Sequence, residues 1–165
     1  MKWLRRTLFA ILFAAIATGI LCFLTPFAVI FLYWRPPSPA SFAPSLSLDP
    51  ATYSNVESVS ADDLTIRSYA YERNQYVDAF PRVTCRPKLA DRNGRVPVFK
   101  FGDDIFVLTY KWVNSSAGLA ISADSNFKNK IESVDHCFRV QHIGGSVYQW
   151  DLDLERPSHA KCDGT

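Results

Sequence analysis

The longest uninterrupted feature of the hydropathy pattern is Thr7 to Trp34, 28 residues without a charge, entered through Lys2, Arg5 and Arg6 and left through Arg35. A bilayer's hydrocarbon core needs about 20 apolar residues in a helix, so the run predicts a transmembrane helix over 7–34. Cleavage after Ala15-Ile16-Ala17 would leave the apolar residues 18–34 as a new N-terminus. Cleavage after Ala43 would follow an apolar region far longer than the roughly 7–15 residues of a signal peptide, so an uncleaved anchor is expected. Three cations before the run and one after it place residues 1–6 in the cytoplasm and the rest outside the plasma (inner) membrane. Within the run, Ala10, Ala14 and Thr18 recur every fourth residue with Gly19 alongside. Such a stripe predicts a face for a partner transmembrane helix or a second copy of the chain.

After the run the pattern breaks. Residues 35–50 hold five prolines and four serines, a composition that predicts an extended spacer, and the whole of 35–63 reads as a linker. Asp49-Pro50 could open a short helical turn. Leu64 to Tyr71 alternates as a strand does but also tolerates a helical reading, with a strand expected, and Tyr76 to Cys85 reads as a second strand interrupted at Pro81. Asn93-Gly94 marks a turn.

The clearest local signal is a hairpin. Val96 to Phe101 and Ile105 to Val113 flank Gly102-Asp103, and a two-residue loop with glycine first predicts a type II′ turn. Counting back from it places Phe99, Phe106, Leu108, Tyr110 and Trp112 on one face, expected to be the core. Val98, Lys100, Ile105, Val107 and Lys111 fall on the other. A loop is expected at 114–118 and a strand at 119–123. A short helix then opens at Asp124 or Ser125 and runs to about Ser133, with Phe127 and Ile131 on one side. The last hairpin needs an odd loop to bring Phe138, Val140, Tyr148 and Trp150 together, which Ile143-Gly144-Gly145 with a left-handed Gly145 would supply. The predicted fold class is α+β: a single N-terminal transmembrane helix followed by a small, mostly antiparallel β domain over 64–165 with one or two short helices.

Charge changes the picture only a little. The chain carries 18 Lys plus Arg against 16 Asp plus Glu. Setting aside Lys2, Arg5, Arg6 and Arg35 leaves 14 cations and a formal balance of −2 for residues 36–165. No basic footprint of a nucleic-acid binder is present, and no nucleic acid is expected as a partner. Locally, Arg82, Arg86, Lys88, Arg92 and Arg95 cluster with only Asp91 against them, a segment suited to anionic contacts or to pairing with the acids at 151–155.

Cys85, Cys137 and Cys162 lie beyond the apolar run, where disulfides are permitted. Three thiols allow one bond, and Cys137 with Cys162 is favoured because it would tie down the polar tail. His136, Cys137, His142, His159 and Cys162 are ligand types for zinc or a reactive thiol, yet no C-x-x-C spacing joins them. No nucleophile elbow or phosphate loop occurs, and no cofactor is implied. The function this predicts is a membrane-anchored accessory or interaction protein of the cell envelope with a non-catalytic domain; the alternative is an envelope enzyme built on that thiol or zinc set.

Overall fold

The computed structural model describes residues 13, 15–22, 24–25, 37–81, 86–112 and 115–154. The chain divides into two units, Met1–Pro37 and Ser38–Thr165. In the first, residues 13, 15–22 and 24–25 are helical and exposed. The transmembrane helix expected over 7–34 is corrected here: among the described residues no helix is long and apolar enough to cross a membrane. The helical positions described lie between 13 and 25. Thr18 and Gly19 belong to this helix and are exposed, and a Cβ added at Gly19 would meet nothing within 4 Å. Ala10 and Ala14 lie outside the described residues.

The second unit is built on one six-stranded antiparallel sheet: β1 (Gln75–Val77), β2 (Val96–Phe101), β3 (Asp104–Lys111), β4 (Ser115–Ile121), β5 (Phe138–Gly144) and β6 (Val147–Asp153), in the order β1-β2-β3-β4-β6-β5. The hairpin over Gly102-Asp103 forms in the expected register, with Phe101 opposite Asp104 and Phe99 opposite Phe106. Gly102 has φ +62, and Asp103 does not share the positive φ, as a type II′ turn requires. The final hairpin also obeys the predicted parity: Val140 faces Trp150 and His142 faces Tyr148. The odd residue sits in a bulge at Ile143, however, and Gly145 carries the left-handed φ of +56.

Both faces of the sheet are buried, which the single-face expectation did not anticipate. On one face Phe99, Phe106, Leu108, Phe138, Trp150 and Leu152 pack beneath two helices, α1 (Ala61–Tyr69) and α2 (Phe127–Val134). Phe127 and Ile131 are the buried residues of α2, as the sequence predicts. On the other face Val96, Val98, Val107 and Leu119 are covered by Phe42, Leu46, Tyr53, Val56 and Phe80. All but Phe80 of these covering residues come from the 35–63 segment expected to be a linker. Pro39–Ser45 and Pro50–Tyr53 are 3₁₀ turns, each with proline at its start, where the missing N–H costs nothing. Ser47 N donates to Ala79 O at 2.8 Å, just past β1, and the Tyr53 hydroxyl donates to Ser47 O at 2.8 Å, which ties the second turn to the chain following the first.

The strand expected over 64–71 is instead α1 and the 3₁₀ turn Tyr71–Arg73. Asp62 and Asp63 in the first turn and Arg67 in the last suit the helix dipole, and Leu64 and Ser68, four apart, are its buried stripe. Of the second expected strand, residues 76–77 belong to β1 and 78–81 are not in a strand, while 82–85 lie outside the described residues. β4 begins at Ser115, within the expected loop. The outer edge of β5 is protected by α2, because Phe138 N donates to Asp135 O and Val140 N to the Glu132 carboxylate at 2.9 Å.

Asp135, just past α2, joins the two helices. It accepts the Thr65 hydroxyl of α1 at 2.6 Å and Cys137 N at 2.8 Å. Burial works against its charge, but the bonds from Thr65 and Cys137, with His136 nearby, outweigh it and hold the carboxyl below the usual range. A depressed folded pKa contributes stability above the unfolded value of about 3.9, and that contribution is lost as pH falls through the folded value. Thr65→Val is therefore expected to lower stability by about 1 kcal/mol at neutral pH. Unfolding followed by circular dichroism from pH 7 to pH 3 should show the variant's deficit shrinking as Asp135 protonates in both proteins.

Candidate functional site

The end of α1, its 3₁₀ turn and β1 bring three tyrosines to one edge of the domain. The α1 cap, Ala70 N to Ile66 O, closes the helix, and the following turn carries Tyr71 beside Tyr69. Asn74 Nδ2 donates to Arg67 O at 2.7 Å, steering the chain into β1 and placing Tyr76 next. Facing them is the loop over 86–95. Asp91 organises it: its carboxylate accepts Asn93 N and Arg95 N at 2.9 Å each, and Arg95 binds it through Nε at 2.9 Å and a terminal nitrogen at 2.8 Å. Partial burial opposes the charge, yet these donors hold the Asp91 carboxyl below the ordinary range. Gly94, at φ +83, completes the turn.

The third wall comes from a bulge. Between Leu108 and Tyr110 the pairing with β4 slips by one residue, so Leu108 lies opposite Gly118 but Tyr110 lies opposite Ala117 and Lys111 opposite Ser116. A one-residue slip exchanges the faces. Tyr110 consequently leaves the face of Phe106 and Leu108, and Lys111 joins the helix-covered face, the reverse of the expected assignment. Its ammonium lies 4.3 Å from the Tyr69 ring centroid and 4.9 Å from that of Tyr71. Lys88 lies over Tyr110 at 5.8 Å. Each such contact is worth about 0.5–1 kcal/mol at an exposed site, and together they order side chains that are otherwise mobile. Trp112 follows, half exposed, its backbone N–H donating to Ser115 O at 2.7 Å across the β3–β4 turn.

These walls bound two open depressions of about 410 and 420 Å³ that share Tyr71 and Leu89. One runs past Tyr76, Lys88 and Arg95, the other past Tyr69, Lys111 and Trp112. Burial, with Tyr71, Asp91 and Glu72 nearby, raises the Tyr76 pKa, so its hydroxyl keeps its proton at neutral pH. The cleft thus offers ammonium groups, phenol hydroxyls and an exposed indole. Among the described lining residues the one carboxylate, Asp91, is occupied by Arg95.

Of the other candidate residues, those described are not brought together. His142 shares its Nε2 with Gly145 O at 2.9 Å rather than with a serine hydroxyl, and its ring packs 4.8 Å from Tyr148. A third depression of about 560 Å³ adjoins it, lined also by Ser122, Ser125 and Lys128. His136 is exposed and Cys137 half-buried; Cys85, His159, Cys162 and Arg82 lie outside the described residues. Among the described residues no three His, Cys, Asp or Glu side chains could hold a metal ion together. Of the basic cluster, Lys88 and Arg95 reach the cleft, Arg86 packs over Gly94, and Arg92 is exposed. The acid of the last strand, Asp151, lies opposite Arg139 on β5. Tyr69, Tyr71, Tyr76, Lys111 and Trp112 went unpredicted as site residues; the signal available was the density of tyrosine near 69–76 and a lysine beside tryptophan at 111–112.

The fold defines the second unit as a single antiparallel sheet sandwiched between two helices and a layer of 3₁₀ turns. Comparison of the chain with protein-family models, curated proteins and solved structures finds no match.

Proposed function

We propose that the Ser38–Thr165 unit is a non-catalytic recognition domain, an accessory or interaction module that binds its ligand in the tyrosine-lined cleft. The observation that carries this reading is Lys111, held over two tyrosine rings at the rim of an open cleft beside an exposed tryptophan. Aromatic residues and ordered cations are the side chains that dominate recognition energies, because they bury much surface at little cost in lost rotamers. Pre-ordering Lys111 lowers that cost further.

The test is an NMR titration of the isotope-labelled full chain with a panel of saccharides, peptides and small acids. A binder is expected to shift the Trp112 indole signal, with that shift lost in Lys111→Gln and no product formed. Ligand turnover, or binding that maps away from Trp112 and survives Lys111→Gln, would overturn the proposal.

A further inference from the structure

A second concave site shares no lining residue with the tyrosine cleft: the depression of about 560 Å³ beside His142, where the end of β4, the start of α2 and the β5–β6 turn meet. Its frame is tied together by Ser122 N donating to Ser146 O at 2.9 Å and by the Tyr148 hydroxyl donating to Asp124 O at 3.1 Å. The polar side chains that line it are hydroxyls, one ammonium and one imidazole, with no carboxylate among them. Ser122 is buried, and its Oγ accepts Asp124 N at 3.0 Å, which leaves the hydroxyl proton for another acceptor. Among the described residues, the side chains of Ser125, Lys128 and Ser146 enter no hydrogen bond or ion pair. The neighbouring acid, Asp124, is turned away to accept Asn126 N at 2.8 Å. His142, exposed and packed on Tyr148, forms the remaining wall beside Gly145, which carries no side chain.

We propose that this depression binds a small phosphate monoester, its phosphate held by Lys128 and the serine hydroxyls and its organic part against His142. The donors come from separate places in the fold: Ser122 just past β4, Ser125 in the loop, Lys128 in the first turn of α2 and Ser146 in the β5–β6 turn. Donors on several sides suit a tetrahedral group with three acceptor oxygens, whereas a planar carboxylate is best met by a guanidinium fork, which is absent from the lining residues. Lys128 is the only cation among the lining residues, and the dipole of α2 adds to its positive potential. The volume lies in the range of about 300–1,000 Å³ that holds small organic ligands, so a bare oxyanion would leave most of it to solvent.

The experiment is an NMR titration of the isotope-labelled full chain, at constant ionic strength, with ribose 5-phosphate, inorganic phosphate, ribose and gluconate. Ribose 5-phosphate is expected to give saturable shifts of the Ser122, Ser125, Lys128 and His142 amides. Inorganic phosphate should bind severalfold more weakly, and ribose and gluconate about tenfold or more weakly. Lys128→Gln, at an exposed position, should weaken ribose 5-phosphate about tenfold, and Ser146→Ala about threefold. The absence of saturable shifts at these residues with ribose 5-phosphate overturns the proposal, as does binding that survives Lys128→Gln unchanged. Equal binding of inorganic phosphate would reduce the ligand to a bare oxyanion, and equal binding of gluconate would replace phosphate with a carboxylate; either also overturns it. The site stands independently of the tyrosine cleft, which is tested with ligands that lack a phosphate. Lys111→Gln should leave the ribose 5-phosphate shifts unchanged, and their loss in that variant would place the ligand in the cleft and overturn the assignment made here.

Discussion

Trp150→Ala is expected to destabilise the Ser38–Thr165 unit by about 3–5 kcal/mol, the cost of emptying a large aromatic site in a packed core. Trp150 is fully buried at the centre of the helix-covered face. Its ring centroid lies 5.8 Å from that of Phe106 and 5.9 Å from that of Phe138, and its Nε1 donates to Leu119 O at 3.1 Å. Three strands therefore converge on one side chain, and the neighbours belong to a paired sheet that cannot collapse into the space. Trp150→Phe isolates the polar part: it keeps most of the ring contacts, leaves the Leu119 carbonyl without this donor, and should cost about 1–2 kcal/mol. Denaturant unfolding measures both, and the alanine variant should also lose roughly 10–20 °C of Tm. A loss below about 1 kcal/mol would mean that the ring is not packed as described.

Gly118→Ala is the companion case, a gain of one carbon instead of a loss of eight carbons and a nitrogen. Gly118 is paired on one side with Leu108 and on the other with Trp150. A Cβ there would run into the Val107 carbonyl oxygen and lie 2.9 Å from Cζ2 of Trp150. The first obstacle is backbone and cannot rotate away, so the sheet itself must spread beside the bulge. We expect a loss of about 3 kcal/mol, at the upper end for overpacking by a single methyl. Gly144→Ala is the control, because a Cβ at Gly144 meets nothing within 4 Å and its φ is not positive. That variant should unfold within about 0.5 kcal/mol of the parent. Equal stability of the two alanine variants would show that Gly118 is not a close-approach position.

Legibility along the chain followed the range of the interactions involved. The Gly102-Asp103 hairpin and the α2 stripe of Phe127 and Ile131 were readable because a turn and a helical repeat are completed within a few residues. The odd parity of the last hairpin was readable from its aromatic positions, although the residue that absorbs it, Ile143, was not. α1 was misread as a strand because residues 64–71 satisfy both periods. Packing of Leu64 and Ser68 against the sheet selects the helix. The 28-residue apolar run illustrates the opposite hazard, since length and hydropathy alone implied a spanning helix that the described residues do not contain.

By itself the sequence determined which segments could pair locally, where the left-handed glycines fall, and that Phe99, Phe106, Phe138, Tyr148 and Trp150 belong to the core, since each of these depends on neighbours in the chain; Tyr110 and Trp112, expected there too, lie outside it. Only the tertiary structure decided that the sheet is buried on both faces, because the covering layer comes from proline-rich 3₁₀ turns whose apolar residues, Phe42, Leu46, Tyr53 and Val56, show no period. It also decided the cleft. The bulge between Leu108 and Tyr110 arises where β3 meets β4, and it turns Lys111 toward Tyr69 and Tyr71, residues some forty positions earlier in the chain. An alternating pattern assigns faces correctly only while the ladder is unbroken, and a one-residue slip reverses every side chain beyond it.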